Sequence, residues 1–108
     1  MAVNEDLADR IRAALVRAGS SWEERRMFGS RCFMVDGEIL VCARGTGALL
    51  VRCAEGDRER LLQRPGAAVA LMGRREMSGG WLDVAGDSVE TDAVLDSWVA
   101  AALRRRQR

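Results

Sequence analysis

At 108 residues, 48% of them hydrophobic, the chain fits one domain whose apolar core needs no metal or disulfide staple. Its 17 basic and 16 acidic residues nearly cancel, unlike the strongly basic balance of a protein held by phosphate contacts. Every basic residue is Arg, and the absence of His removes the commonest general base and the commonest nitrogen ligand for a metal.

Leu7, Ile11, Leu15 and Ala18 recur at helical spacing and predict a helix over residues 5–18, with Arg10, Arg12 and Arg17 elsewhere on the wheel. Asn4 is suited to cap it, and Gly19 with the two serines after it to end it. Residues 22–28 read as a first strand, with Gly29 allowing a turn or bulge. Residues 31–35 and 38–43 flank Asp36-Gly37, the strongest hairpin signal in the chain. A further strand over 49–53 follows the turn Arg44-Gly45-Thr46-Gly47.

If both hairpins are tight, Phe33, Leu40 and Val51 line up across three strands, and Cys42 and Leu49 share their face. Met34, Ile39 and Arg52 then align on the opposite one. Both faces thus carry apolar residues, whereas a sheet with one wet face alternates cleanly. Cover of the second face by the chain's own helices is expected, with homodimerisation as the alternative.

Residues 57–64 read as a short helix with Leu61 and Leu62 inward, stopped by Pro65-Gly66. Strands over 67–72 and 81–84 are joined by a Gly- and Arg-rich segment, 73–80. Thr91 is suited to cap a last helix over 92–104, with Leu95, Trp98, Val99 and Ala102 as its apolar stripe. The Arg-rich tail, 104–108, has nothing to bury and is expected to be mobile. The order α-β-β-β-β-α-β-β-α predicts a single compact α+β domain over 1–108, an antiparallel sheet packed with helices. The polar, acidic start is unlike a signal peptide, and no apolar run is long enough to span a membrane, so no membrane contact is expected and the cytoplasm is the expected compartment.

Three cysteines, Cys32, Cys42 and Cys53, form an odd set with no CxxC pair and no His to complete a zinc site. They read as reduced thiols packed in apolar strands. Gly45-Thr46-Gly47 lacks the third glycine of a dinucleotide loop and lies between strands rather than before a helix. Glu23, Glu24, Asp36 and Glu38 lie near Arg25, Arg26 and Arg44, which favours solvated ion pairs over an acid–base carboxylate pair. Without His or Lys, neither a Ser-His, a Cys-His nor a Ser-Lys arrangement is available. No catalytic residue, cofactor or metal is expected.

Two surfaces remain. Met27-Phe28-Gly29 is the candidate for partner contact, against the plainer reading that Phe28 fills the core and Gly29 supplies an unusual backbone conformation. Arg25, Arg26, Arg74, Arg75, Arg105 and Arg106 are candidates for anion contact if they converge on one face, separate solvated faces being the preferred reading. Trp22 is the one candidate for stacking on nucleic-acid bases, since Trp81 and Trp98 read as core.

Arg26-Met27-Phe28-Gly29, followed by Cys32-Phe33-Met34-Val35-Asp36-Gly37, is similar to the strand-turn-strand signature of the TfoX N-terminal domain family. Leu50-Val51-Arg52 resembles the family's next strand. Pro65-Gly66, Gly73-Arg74, Met77 and Gly80-Trp81 resemble its later pattern, so the likeness runs over about residues 6–103. The resemblance implies helices packed on an antiparallel sheet. It also implies a link to transcription regulation and competence, since full-length members, with a second C-terminal domain, act as co-activators of DNA-uptake genes. It carries over no catalytic residue. The expected function is a non-enzymatic regulatory adaptor that contacts a protein partner or a second copy of itself, the alternative being an accessory nucleic-acid binder with weak contacts through clustered arginines.

Overall fold

The apolar stripe of Leu7, Ile11 and Leu15 lies on one helix, α1 (Ala2–Arg17), and faces the core. The structure, a computed structural model, describes residues 2–27, 29–77 and 79–106, with side chains from residue 5. The helix starts at Ala2, so Asn4 lies inside its first turn rather than capping it. It ends as expected. Gly19 takes φ 73°, its N–H bonds the Val16 carbonyl, and the Ser20 N–H reaches back to the Leu15 carbonyl. This is the paired closure that a left-handed glycine permits.

Strands β1 (Glu23–Met27), β2 (Ser30–Val35), β3 (Glu38–Ala43) and β4 (Leu49–Arg52) follow as a meander. A short 3-10 turn (Glu55–Asp57) leads into α2 (Arg58–Leu62), then β5 (Ala67–Val69), β6 (Leu71–Met72), β7 (Arg75–Glu76) and β8 (Trp81–Val84). Helix α3 (Asp92–Arg106) closes the fold, with the Thr91 hydroxyl accepting the Val94 N–H as a cap. The main sheet has the order β1-β2-β3-β4-β8-β5, and every pair in it is antiparallel. Helices on one antiparallel sheet make an α+β fold, as expected.

The expected strand over 67–72 divides at Ala70. Its N–H bonds the Trp81 carbonyl of the main sheet, while its own carbonyl accepts the Met77 N–H. The chain therefore leaves the sheet there and forms a separate hairpin, β6–β7, within what the sequence presents as a loop.

Register departs from the tight-hairpin expectation at one residue. Asp36 and Gly37 both take positive φ, as a two-residue hairpin turn requires, and Met34 pairs with Ile39. Phe33 then pairs with Val41 rather than Leu40, so Leu40 is the extra residue of a β-bulge. Leu40 and Val41 are both buried against the helices, which repays the lost pairing. Because side chains alternate, the bulge moves Cys42 off Phe33's face and places it opposite Cys32 on the other side.

Phe33, Val41, Val51 and Leu82 form one row across β2, β3, β4 and β8, all fully buried. Leu61 of α2 and Leu95, Trp98 and Val99 of α3 join α1 over this row in a single core. Each such side chain contributes about 1.5–3 kcal/mol by leaving water. All three helices are thus on the same face. The expected helical cover of the second face is absent among the described residues, where only the β6–β7 hairpin lies over it.

The last turn of α3 also differs from expectation. Residues 104–106 continue the helix instead of opening as a tail; 107 and 108 lie outside the described residues. Arginine forms helix readily and its charge suits a helix C-terminus. Arg105 and Arg106 are further anchored on Glu38 and Asp36 of the β2–β3 turn.

Candidate functional site

The bulge and the one-sided helices leave an apolar patch on the open face. Cys32, Cys42, Leu50 and Ala70 are buried there, and Met27, Ile39, Met77 and Trp81 pack around them. They enclose a hollow of about 110 Å³. The cysteines and Leu50 form its floor, Met27 and Trp81 line its sides, and Met72 with Met77 bring the hairpin over it. Three thioethers make this lining soft and readily repacked. Leu71 and Met72, at 43% and 50% exposure, are two of the three large apolar side chains most open to water among the described residues.

Arg44 holds the hairpin in place. Its Nη1 donates to both carboxylate oxygens of Asp83 on β8, each at 3.0 Å, and its Nη2 donates to the Leu71 carbonyl at 3.2 Å. On the other side of Trp81's neighbourhood, Arg52 lies with its guanidinium 5.1 Å from the indole centroid, a cation–π contact.

The two floor thiols are in contact. Cys42 donates to Cys32 with the sulfurs 2.7 Å apart. That hydrogen bond pulls the Cys32 thiol below its usual range, burial opposing it and the Arg44 charge assisting. The same bond, with burial, pushes Cys42 up. Cys53 is elsewhere, in the helix-side core, where burial above all and then the charge of Asp57 push it up. All three are free thiols and buried, as the sequence suggests.

Of the Met27-Phe28-Gly29 candidate, Met27 lines the hollow, Gly29 turns the chain at φ 73°, and Phe28 lies outside the described residues. The six candidate arginines do not all converge. Arg25 pairs in register with Cys32 and shares the open face, whereas Arg26 pairs with Arg31 and belongs to the helix face. Arg74 and Arg75 are exposed on the β6–β7 hairpin. Arg105 and Arg106 are committed to Glu38 and Asp36, and the Arg105 hydrogen bond holds the Glu38 carboxyl below its ordinary range.

Trp22 is no free stacking surface, being half-buried against the core with its indole N–H bonded to Glu24 at 3.1 Å. Trp98 is core, with Arg64 4.0 Å above its ring. Trp81, expected in the main core, belongs to the open-face patch. Leu71, Met72 and the Arg44–Asp83 clamp have no counterpart among the sequence candidates.

A wider concavity of about 520 Å³, between the start of α1 and residues 46–47 and 85–90, is open to solvent. The Arg10 that lines it already bonds the Val89 carbonyl at 2.7 Å and lies 3.5 Å from Asp92. Among the described residues no group of three His, Cys, Asp or Glu could hold a metal ion, and no helix is long and apolar enough to cross a membrane.

Comparison with curated proteins and with solved structures gives no match. The family model of the TfoX N-terminal domain matches residues 14–105. That span takes in most of the helix-side core, the bulge and the whole open face, and the chain belongs to the TfoX N-terminal domain family.

Proposed function

We propose that this domain is a non-enzymatic adaptor that binds a protein partner through the open sheet face, with one apolar side chain of the partner entering the hollow under the β6–β7 hairpin. The observation that carries this reading is the placement of all three helices on one face, which leaves the apolar patch with only a two-stranded hairpin over it. A hollow of about 110 Å³ suits one aliphatic or methionine side chain, and the exposed Leu71 and Met72 extend the contact beyond it. Its lining is mainly hydrocarbon and sulfur; Ser30 and Arg44 are its polar members, and Arg44 is engaged by Asp83 and the Leu71 carbonyl. Arg25, Arg74 and Arg75 lie exposed on the same side of the sheet or on its hairpin, and they suit acidic residues beside the anchor. The family's association with regulation of DNA-uptake genes agrees with an adaptor role in the cytoplasm.

The test is affinity capture with the natural chain and with the double variant Leu71→Glu/Met72→Glu, which alters two exposed side chains, Met72 at the rim of the hollow. A partner bound by the natural chain and lost by the variant supports this reading. Partners held equally by both contradict it.

A further inference from the structure

The floor of the hollow carries chemistry that partner binding does not use. Cys32 and Cys42 are direct cross-strand partners in an antiparallel pair, where Cα atoms lie about 4.5–5.5 Å apart, within the roughly 4.4–6.8 Å that a disulfide spans. Their sulfurs are 2.7 Å apart, so a short approach reaches the S–S bond length of about 2.05 Å. The third thiol, Cys53, is in the other core and has no such neighbour among the described residues. Both thiols line the hollow. At about 110 Å³ it takes the volume of a few water molecules, enough for a small hydroperoxide and too little for a tripeptide disulfide.

We propose that Cys32 and Cys42 form a reversible dithiol–disulfide site whose oxidant is a small hydroperoxide entering through the hollow. The Cys32 sulfur attacks the nearer peroxide oxygen. With hydrogen peroxide, an S–O bond forms, the O–O bond breaks, and the leaving oxygen takes the proton given up by the Cys32 thiol and departs as water. Cys32 is now a sulfenic acid. The Cys42 sulfur then attacks the Cys32 sulfur, the S–S bond forms, the S–O bond breaks, and the Cys42 proton leaves with the hydroxyl as a second water. Two thiols and one hydrogen peroxide thus give one disulfide and two waters (an organic hydroperoxide gives its alcohol in place of the first water), and a thiol reductant returns the pair to its starting state.

The order of attack follows from the setting. Cys32 accepts the hydrogen bond and has the Arg44 charge nearby, which favours its thiolate, while Cys42 is fully buried and keeps its proton. The β-bulge makes this site, since without it Cys42 would face the helices. The site stands independently of any partner.

The test uses the full reduced chain, treated with stoichiometric hydrogen peroxide, unfolded, alkylated and weighed. The expected product has lost two hydrogens and two of its three alkylatable thiols, with Cys32 and Cys42 joined in the peptide map, and a dithiol reductant restores it. Cys53→Ser gives the same bond. Three thiols still open to alkylation, a bond that includes Cys53, or direct passage of Cys32 to sulfinic acid overturns the proposal. With a 1,3-diketone as trap, Cys42→Ser accumulates sulfenic acid faster than Cys32→Ser. The reverse order overturns the assignment of Cys32 as the attacking sulfur.

Discussion

Nη1 of Arg44 lies 3.0 Å from both carboxylate oxygens of Asp83, and the same guanidinium reaches the Leu71 carbonyl. One side chain thereby ties β3 to β8 and both to the hairpin over the open face. The pair is about three-quarters shielded from water, so it contributes more than an exposed ion pair and less than a fully buried one. Asp83→Asn or Arg44→Ala is expected to lower stability by about 1 kcal/mol in urea unfolding. Both variants should also speed hydrogen exchange at the Met77 amide, which bonds the Ala70 carbonyl where the hairpin leaves the sheet. Unchanged exchange would mean that the apolar contacts of Met72 and Met77 alone hold the hairpin.

Glu24 on β1 joins the edge of the sheet to α1. Arg12 donates to it through Nε at 2.6 Å and Nη2 at 2.8 Å. Chiefly through that hydrogen bond, with Trp22 and the charge of Arg31 assisting, its carboxyl falls from the ordinary 4.5 to about 2. The folded state therefore binds this proton less readily than the unfolded one, and its contribution is fully present above about pH 4.5 and lost as pH falls towards 2. With solvent screening allowed for, the loss is about 1–2 kcal/mol. Glu24→Gln should remove that part of the acid sensitivity, read as a flatter profile of stability between pH 5 and pH 2. An unaltered profile would assign the acid sensitivity to other carboxylates.

Gly80 sits against the backbone of Cys53, whose N–H donates to its carbonyl at 2.8 Å. A Cβ built there would lie 1.9 Å from the Cys53 carbonyl oxygen, and backbone cannot swing aside as a side-chain tip can. Gly80→Ala should cost about 2–4 kcal/mol in chemical unfolding. A loss below about 0.5 kcal/mol, the range of ordinary surface changes, would contradict this packing.

The elements were legible where one periodicity dominates. Leu7, Ile11 and Leu15 announce α1, and Asp36-Gly37 announces the β2–β3 hairpin, because each signal is local. The bulge was hidden because Leu40 and Val41 are both apolar, and a period-two pattern gives no sign of which one is the extra residue. That single residue decided the face of Cys42 and with it the floor of the hollow. The hairpin was hidden because two-residue strands around Gly73 carry no periodicity. Arg44 and Asp83 meet only through the order of the sheet. Of the residues around the hollow, Met27 stood among the sequence candidates and its apolar companions did not.

The arginine candidates give a clear expectation for nucleic acid. Arg25 and Arg26 occupy opposite faces, and Arg105 and Arg106 are held by Glu38 and Asp36. Random duplex DNA is expected to show no saturable change in fluorescence anisotropy at about 0.15 M salt, where exposed charges are screened beyond about 8 Å. Arg105→Ala/Arg106→Ala should leave that result unchanged. Tight binding that weakens steeply with salt would revive the nucleic-acid reading.

The most direct measurement is hydrogen-exchange mass spectrometry of the domain with and without a captured partner. Contact through the open face predicts new protection in β1, β4 and the β6–β7 hairpin around the hollow, with α1 and α3 unchanged. Protection confined to α1 and α3 would place the contact on the helical face and contradict it.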